Sequence, residues 1–208
     1  MTRIFVLGHK GRMGSHVVDD IGARANCTYV ETMADADVVI DFTRADATPA
    51  LVAEAVALKK PYVCCTTGLD VTPLKAAAAT IPVLYAANTS LSLAVAKRAT
   101  ALMAQMLKPH GYDVAIHEEH HIHKKDAPSG TAKALGDAVG GPVAYSSVRA
   151  GNIVGEHDVL FAGLDETIRL HHSVTDRRVF ARGAVTAALW LAGKPSGFYS
   201  MDDVLQLP

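Results

Sequence analysis

Thr2-Arg-Ile-Phe-Val-Leu-Gly8-His9-Lys10-Gly11-Arg12-Met13-Gly14 opens with a β-branched and aromatic run and ends in three glycines, each separated from the next by two residues. A strand-length apolar run feeding directly into spaced glycines, and then into a helical pattern reaching about Ala25, predicts a strand–turn–helix unit. Glycine at such a turn lets a diphosphate approach the backbone, and the helix start offers unpaired N–H groups at the positive end of its dipole. The spacing is G-x-x-G-x-x-G, with Lys10 where the usual G-x-G-x-x-G pattern has a second glycine. On spacing alone, a plain tight turn explains the glycines equally well. The strand before the loop and the helix after it favour a dinucleotide site. So does Glu31, twenty residues past Gly11 near the end of the second predicted strand, where a carboxylate would accept a hydrogen bond from a ribose 2′-hydroxyl. Its neighbour Thr32 is not an arginine, which tilts the expected cofactor toward NADH over NADPH, although Lys10 or Arg12 could meet a 2′-phosphate. The alternative for Glu31 is an exposed strand-end carboxylate with no ligand.

Outward from this loop, the first ninety residues alternate short apolar runs with helical patterns. Ile4–Leu7, Tyr29–Val30, Val38–Phe42, Tyr62–Cys65 and Val83–Tyr85 have strand composition. Thr48-Pro49 reads as the N-cap and first residue of a helix ending at Lys59-Lys60; Thr72-Pro73 repeats the signal, and Pro82 closes that helix. Strands alternating with helices predict βαβ units around a parallel sheet. After Asn88 the texture changes. Ser90 or Ser92 starts a long helix through Leu107, closed by Pro109 and Gly111. Tyr112–His121, Val143–Arg149, His157–Phe161 and Thr167–Ser173 then read as strands, with Ala162–Glu166 as a hairpin turn. The expected fold class is therefore α/β, a Rossmann-like parallel-sheet domain plus a second α+β domain with a mostly antiparallel sheet. Residues 1–89 with 178–208 form the dinucleotide-binding domain, the tail (Ala181–Leu191 and Met201–Leu205) packing back on it as helix. Residues 90–177 form the second domain, for substrate binding and oligomerisation.

The 208 residues carry 20 Lys and Arg against 21 Asp and Glu, a net charge of −1, which argues against nucleic acid held by a basic face. Half the residues are hydrophobic, enough for a core, and only 6% are aromatic, so Ala, Val and Leu must fill it. The three cysteines make no disulfide framework, and neither a signal peptide nor a membrane span is recognisable. A reduced, cytoplasmic protein with no membrane partner is the expectation.

The densest polar chemistry is His117-Glu-Glu-His120-His121-Ile-His123-Lys124-Lys125-Asp126-Ala-Pro-Ser129-Gly130-Thr131, with four of the ten histidines within seven residues. Imidazole donates or accepts a proton near neutral pH, and a lysine beside it supplies a cation or a proton. Ser129-Gly130-Thr131 starts a helix running through Val139, a ready site for a carboxylate or phosphate. A zinc site is the second possibility, although His117 and His120 point to opposite faces of an extended strand and no helical His-Glu-x-x-His is present. A solvated loop with a capping serine is the third. His171-His172 reads as a surface pair at a strand end.

These residues resemble a known family. Gly8-x-x-Gly-Arg-Met-Gly14, Asp41-Phe-Thr43, Thr66-Thr-Gly68, Ala86-Ala-Asn88, Glu118-x-His-His-x-His-Lys124-x-Asp-Ala-Pro-Ser-Gly-Thr131, Arg149-Ala-Gly-Asn-Ile-Val-Gly-Glu-His157 and Gly183-Ala-Val with Ala188-Leu-Trp190 stand in the order found in 4-hydroxy-tetrahydrodipicolinate reductase, also called dihydrodipicolinate reductase. The resemblance covers essentially the whole chain, and its His-His-x-His-Lys to Ser-Gly-Thr block is highly specific. It implies a bilobal, typically tetrameric enzyme of lysine and diaminopimelate biosynthesis that uses NADH or NADPH to make tetrahydrodipicolinate from a small cyclic dicarboxylate, with loss of water. It implies His120 as proton donor and acceptor, Lys124 as proton donor, and His121, Gly130 and Thr131, beside Ser129, as holders of the substrate carboxylates. Gly8, His9, Lys10, Gly11, Arg12 and Met13 would hold the cofactor diphosphate. Thr66, Thr67, Ala86, Ala87, Asn88 and Thr89 would flank the nicotinamide, with Cys65 beside them. No metal is implied.

The chain departs from the family pattern in three places. The usual second strand, long loop and third strand are compressed into about ten residues between Cys27 and Asp37. Cys65 stands where glycine is usual, and Thr89 where an aromatic is common. A dinucleotide-binding redox sensor that has lost turnover is the alternative function.

Overall fold

β1 (Thr2–Leu7) leads through the glycine loop into α1 (Arg12–Gly22), and the chain continues as β2 (Cys27–Tyr29), β3 (Val38–Asp41), α2 (Thr48–Ala57), β4 (Tyr62–Cys64), α3 (Thr72–Ala77) and β5 (Pro82–Tyr85). Next come α4 (Leu91–Leu107), β6 (Asp113–His120), α5 (Gly130–Val139), β7 (Ala144–Arg149), β8 (Gly155–Ala162) and β9 (Thr167–Val174). The chain closes with α6 (Arg178–Leu191), β10 (Gly197–Tyr199) and α7 (Met201–Val204). This is a computed structural model, and it describes residues 1–206. Two compact units emerge, one from Met1–Leu91 with the chain from Arg178 onward, the other from Ser92–Arg177.

In the first unit all six strands are parallel, in the order β10-β5-β4-β3-β1-β2. Val38, Val39 and Ile40 are each fully buried, as are Tyr62, Val63 and Cys64, because a parallel sheet is covered on both faces and its strands need no polar alternation. One face is covered by α2 and α3 around Val52, Ala55 and Leu74. On α6 the residues Ala181, Gly183, Ala184, Val185, Ala187, Ala188 and Leu191 are buried, and the helix contacts α1, β3, β4 and β5. Small residues allow this approach: a Cβ at Gly183 would stand 1.7 Å from the Thr89 carbonyl oxygen.

Several sequence expectations shift here. Helix α1 ends at Gly22 rather than Ala25, and Arg24 instead pairs with Asp20 at 2.8 Å and donates to the Arg182 carbonyl of α6 at 3.1 Å. Thr48 and Thr72 stand inside their helices, with Ala47 and Val71 at the caps. The Thr72 amide and hydroxyl both bond Asp70, while the Thr48 hydroxyl donates to the Arg44 carbonyl, so neither threonine oxygen caps the helix. Helix α2 stops at Ala57, short of Lys59-Lys60. The sixth strand, β10, is too short to show a pattern and is defined by its pairing with β5.

β2 and β3 flank β1 on opposite sides, and the compressed segment 30–37 joins them without helix or strand. The outermost strand of the doubly wound order 3-2-1-4-5-6 is therefore missing, and β2 is the edge. Met33 is buried among Val39, Val52 and Tyr62, and Lys60 Nζ donates to the carbonyls of Ala34 and Ala36 at 2.7 and 2.8 Å.

The second unit is a four-stranded sheet in the order β7-β6-β8-β9, antiparallel except for β6 with β7. The expected hairpin joins β8 to β9, closed by the Gly163 amide on the Glu166 carbonyl at 2.9 Å. Helices α4 and α5 supply Leu93, Ala104, Leu135 and Val139 to a core completed by Val114, Ile116, Val159 and Phe161. Among the described residues no helix is long and apolar enough to cross a membrane.

Candidate active site

Side chains alternate along a strand with period two, so the β6 face that buries Val114 and Ile116 must also bury Glu118 and His120. Register then builds a row: Glu118 lies opposite His157 of β8, and His157 opposite His172 of β9. Ring centroids of His120 and His157 are 5.1 Å apart, and those of His157 and His172 6.1 Å. His172 is thus interior, 3.1 Å from the Ser92 hydroxyl, and only His171 faces outward, toward Glu156 and Asp158. The expected surface pair is half interior because β9 alternates like β6.

Glu118 organises the cluster. Its carboxylate has no solvent exposure, receives two Arg149 guanidinium bonds of 2.9 and 2.7 Å and the Ser129 amide at 3.3 Å, and pairs with His120 Nδ1. Burial alone would raise its pKa, but hydrogen bonds from Arg149, Ser147 and His120 outweigh this and hold the carboxyl at about 2. Accepting from Nδ1–H fixes the His120 tautomer and leaves Nε2 as the atom for proton exchange. Gly155 packs closely beside it: a Cβ there would stand 3.2 Å from Nε2 and press on the ring by a few tenths of an ångström. Burial lowers the His120 pKa, opposed by Glu118 and reinforced by Lys124 and Arg149. His157 is pushed down to about 3, first by burial and then by the charges of His120 and His172. Its Nε2 reaches the Ser129 hydroxyl at 3.2 Å.

The loop from His121 to Pro128 carries the remaining groups. Lys124 Nζ lies 2.8 Å from Asp126, and its charge is felt at both His120 and His157. Arg149 clasps the loop backbone as well, donating to the carbonyls of Lys124 at 3.3 Å and Asp126 at 2.6 Å. Ser129 caps α5 by accepting from the Ala132 amide at 3.1 Å. Its hydroxyl and its amide are both engaged inside the unit, and exposed Gly130 and half-buried Thr131 follow as the first turn of α5. His121 turns to the other side of the strand end, 3.3 Å from Arg177. The fold therefore gathers His120, Lys124, Ser129, Gly130 and Thr131, with His121 adjoining. Glu118, Arg149 and His157 join this cluster; they bound motifs of the family resemblance, but the sequence reading gave them no role. The inward alternation 114-116-118-120 would have found Glu118. His117 bonds Ser146 and Glu119 on the outer face, so it and His120 do not converge, and among the described residues no three His, Cys, Asp or Glu form a metal-binding group.

In the first unit, Gly8 has φ +80°, and its carbonyl accepts the Gly11 amide at 2.8 Å. A Cβ at Gly14 would stand 2.0 Å from that carbonyl oxygen. Gly11 caps α1 without a side-chain bond, so no side chain of the cap occupies the first-turn amides, and Lys10 and Arg12 beside them are exposed, with His9 and Met13 half-buried. Such a cradle fits a dinucleotide diphosphate. Glu31 is exposed two residues past β2, and the preceding Tyr29 sets its ring against that of His9 at 6.2 Å. Just past the carboxyl ends of β4 and β5, Thr67 and Ala87 are exposed and Asn88 half-buried, while Cys65, Thr66, Ala86 and Thr89 are buried. Thr89 donates to the Phe180 carbonyl at 2.6 Å, and burial raises the Cys65 thiol well above its ordinary range. Asp41, also buried, anchors the turn facing Gly8 by bonding the Tyr62 hydroxyl at 2.7 Å and the Thr43 amide at 2.7 Å.

Comparison with known proteins decides the family. Residues 92–205 match the family described as "Dihydrodipicolinate reductase, C-terminus", and residues 28–89 match its N-terminal counterpart. The chain belongs to the dihydrodipicolinate reductase family. It is 38% identical over 225 residues to the 4-hydroxy-tetrahydrodipicolinate reductase of Anaplasma marginale, covering 94% of this chain and 87% of that one. Identity to the Xanthomonas campestris reductase is 46% over 175 residues, 81% of this chain and 73% of the relative. Alignment with the Sulfurimonas denitrificans reductase spans both chains completely but runs over 257 positions against 208 residues here, consistent with a compressed member of the family. The solved dipicolinate-bound dihydrodipicolinate reductase from Paenisporosarcina sp. TG-14 superimposes with a TM-score of 0.82 at 19% identity, covering 96% of this chain and 97% of that one. A probable dehydrogenase from Thermotoga maritima shares the fold less closely, at a TM-score of 0.64 and 9% identity, over 98% of this chain and 92% of that one. The expected fold class holds for this member of the reductase family.

Proposed function

We propose that this chain reduces 4-hydroxy-tetrahydrodipicolinate to tetrahydrodipicolinate, with loss of water, in lysine and diaminopimelate biosynthesis. The observation that carries the proposal is the buried Glu118–His120 pair beside Lys124 and the start of α5. NADH or NADPH, when bound, supplies a hydride to an unsaturated substrate carbon. That addition leaves electron density needing a proton, and general-acid help of this kind is worth about 10²–10⁴-fold. In this proposal Lys124 donates the proton, and His120 exchanges protons at Nε2 while Glu118 stabilises its charged form. The Gly130 and Thr131 amides, with His121, hold the substrate carboxylates at the positive end of α5. Ser129 shapes that end from behind, as cap of α5 and partner of His157.

Gly8, His9, Lys10, Gly11, Arg12 and Met13 would cradle the cofactor diphosphate. Thr66, Thr67, Ala86, Ala87, Asn88 and Thr89 would border the nicotinamide, Cys65 acting from beneath. Glu31 would take the ribose hydroxyls, which favours NADH. Assembly as a homotetramer through the second unit is part of the proposal, as is a cytoplasmic location. No observation favours the sensor alternative, because a sensor has no use for a buried acid–base pair.

Lys124→Ala tests the roles. Turnover is expected to fall by orders of magnitude while NADH affinity, measured by fluorescence titration, stays nearly unchanged. Loss of NADH affinity instead would place Lys124 in the cofactor site and contradict the assignment.

A further inference from the structure

The cation of the proposed site already serves a carboxylate of the chain itself. Asp126 Oδ1 lies 2.8 Å from Lys124 Nζ, and Lys124 first, with a smaller contribution from the nearby Gly130 amide at the start of α5, holds its carboxyl below the ordinary range. The loop backbone around Asp126 is fixed by Arg149, which donates to the Asp126 carbonyl at 2.6 Å and to the Lys124 carbonyl at 3.3 Å. The side chain itself is not fixed: it is 53% exposed, against 22% for Lys124. A fixed backbone with an exposed carboxylate describes a group that can swing away without unfolding the loop. Among the described residues, the side chain bonded to the Asp126 carboxylate is Lys124, a cation of the site.

We propose that Asp126 is a positioning residue whose carboxylate competes with a substrate carboxylate for Lys124 Nζ and the N-terminus of α5. It aims the ammonium by imitating the group that later replaces it, and each dicarboxylate that binds must displace it. The inference rests on the substrate class proposed above. An exposed ion pair is weak enough to be displaced easily, and its removal should strengthen dicarboxylate binding by about two- to five-fold. Loss of a like charge beside a dianion acts in the same direction, and both effects shrink as salt screens them.

The test titrates dipicolinate into the NADH-loaded protein by calorimetry, comparing wild type, Asp126→Asn and Asp126→Glu at low and high salt. Asp126→Ser replaces Asn if that variant does not fold. The expected result is tighter binding for the neutral variant, a smaller gain at high salt, and near-wild-type affinity for Asp126→Glu, which keeps the charge. In turnover the neutral variant should show a lower KM with kcat no higher, because tighter binding of the ground state does not lower the chemical barrier. Equal or weaker dipicolinate binding by the neutral variant, with wild type binding well, would make Asp126 a loop strut and overturn the inference alone. Failure of every folded chain to bind dipicolinate would overturn the substrate class and the inference with it.

Discussion

Replacing Glu118 with glutamine removes one buried charge and strands another. Glu118 has no solvent exposure, and the Arg149 side chain that forks onto it is 19% exposed. Breaking such a pair from one side costs about 3–5 kcal/mol, since the remaining guanidinium keeps its desolvation penalty without its partner. An independent route gives a similar figure. A carboxyl held at about 2 in the folded protein against an ordinary 4.5 stabilises the fold at neutral pH by about 3 kcal/mol. Because the folded value is the lower one, that stabilisation is complete above pH 4.5 and disappears as pH falls toward 2. At about 2–4 °C per kcal/mol for a chain of this size, Glu118→Gln should melt about 6–12 °C below wild type at neutral pH. The assay is thermal unfolding followed by circular dichroism across the acid range, wild type and variant side by side. The gap should close between pH 4.5 and 2, where the wild-type carboxylate is itself protonated. Melting within about 2 °C of wild type at neutral pH, or a gap that persists unchanged in acid, would refute the role of Glu118 as the charged centre of the site.

Two further outcomes are expected. Gly14→Ala, whose Cβ would sit 2.0 Å from the Gly8 carbonyl oxygen, should abolish measurable NADH binding, whereas Gly22→Ala, with nothing within 4 Å of its Cβ, should leave it intact; isothermal titration distinguishes them. His157, pushed to about 3 against an ordinary 6.5, favours the fold only while neutral, so its contribution is complete above pH 6.5 and is lost on acidification toward 3. In chemical denaturation series, His157→Gln should therefore lose less stability than wild type between pH 6.5 and about 4.5.

What the sequence revealed follows how local each determinant is. The glycine loop and the Ser129 cap of α5 were legible because glycine conformation and a serine oxygen act on residues within a turn. His120 and Lys124 stood out as titratable groups crowded into a few positions. Glu118 was hidden in the same run, for it is one of two adjacent glutamates and only the strand period carried down from Val114 separates the inward one from the outward one. Arg149 opens a motif of the resemblance, but nothing local shows its partnership with Glu118. It lies thirty-one residues from Glu118 and reaches it because β7 pairs with β6 in parallel, His120 standing opposite Arg149. The edge position of β2 likewise followed from pairing, since a compressed segment says that something is missing without saying which strand.

The most direct measurement is oxidation of NADH, and separately of NADPH, by the purified protein supplied with substrate freshly condensed from pyruvate and aspartate semialdehyde. Rapid substrate-dependent loss of reduced-nicotinamide absorbance is expected, faster with NADH and abolished in His120→Ala and Lys124→Ala. Tight NADH binding without turnover, on substrate that a known reductase consumes, would contradict the proposed reaction.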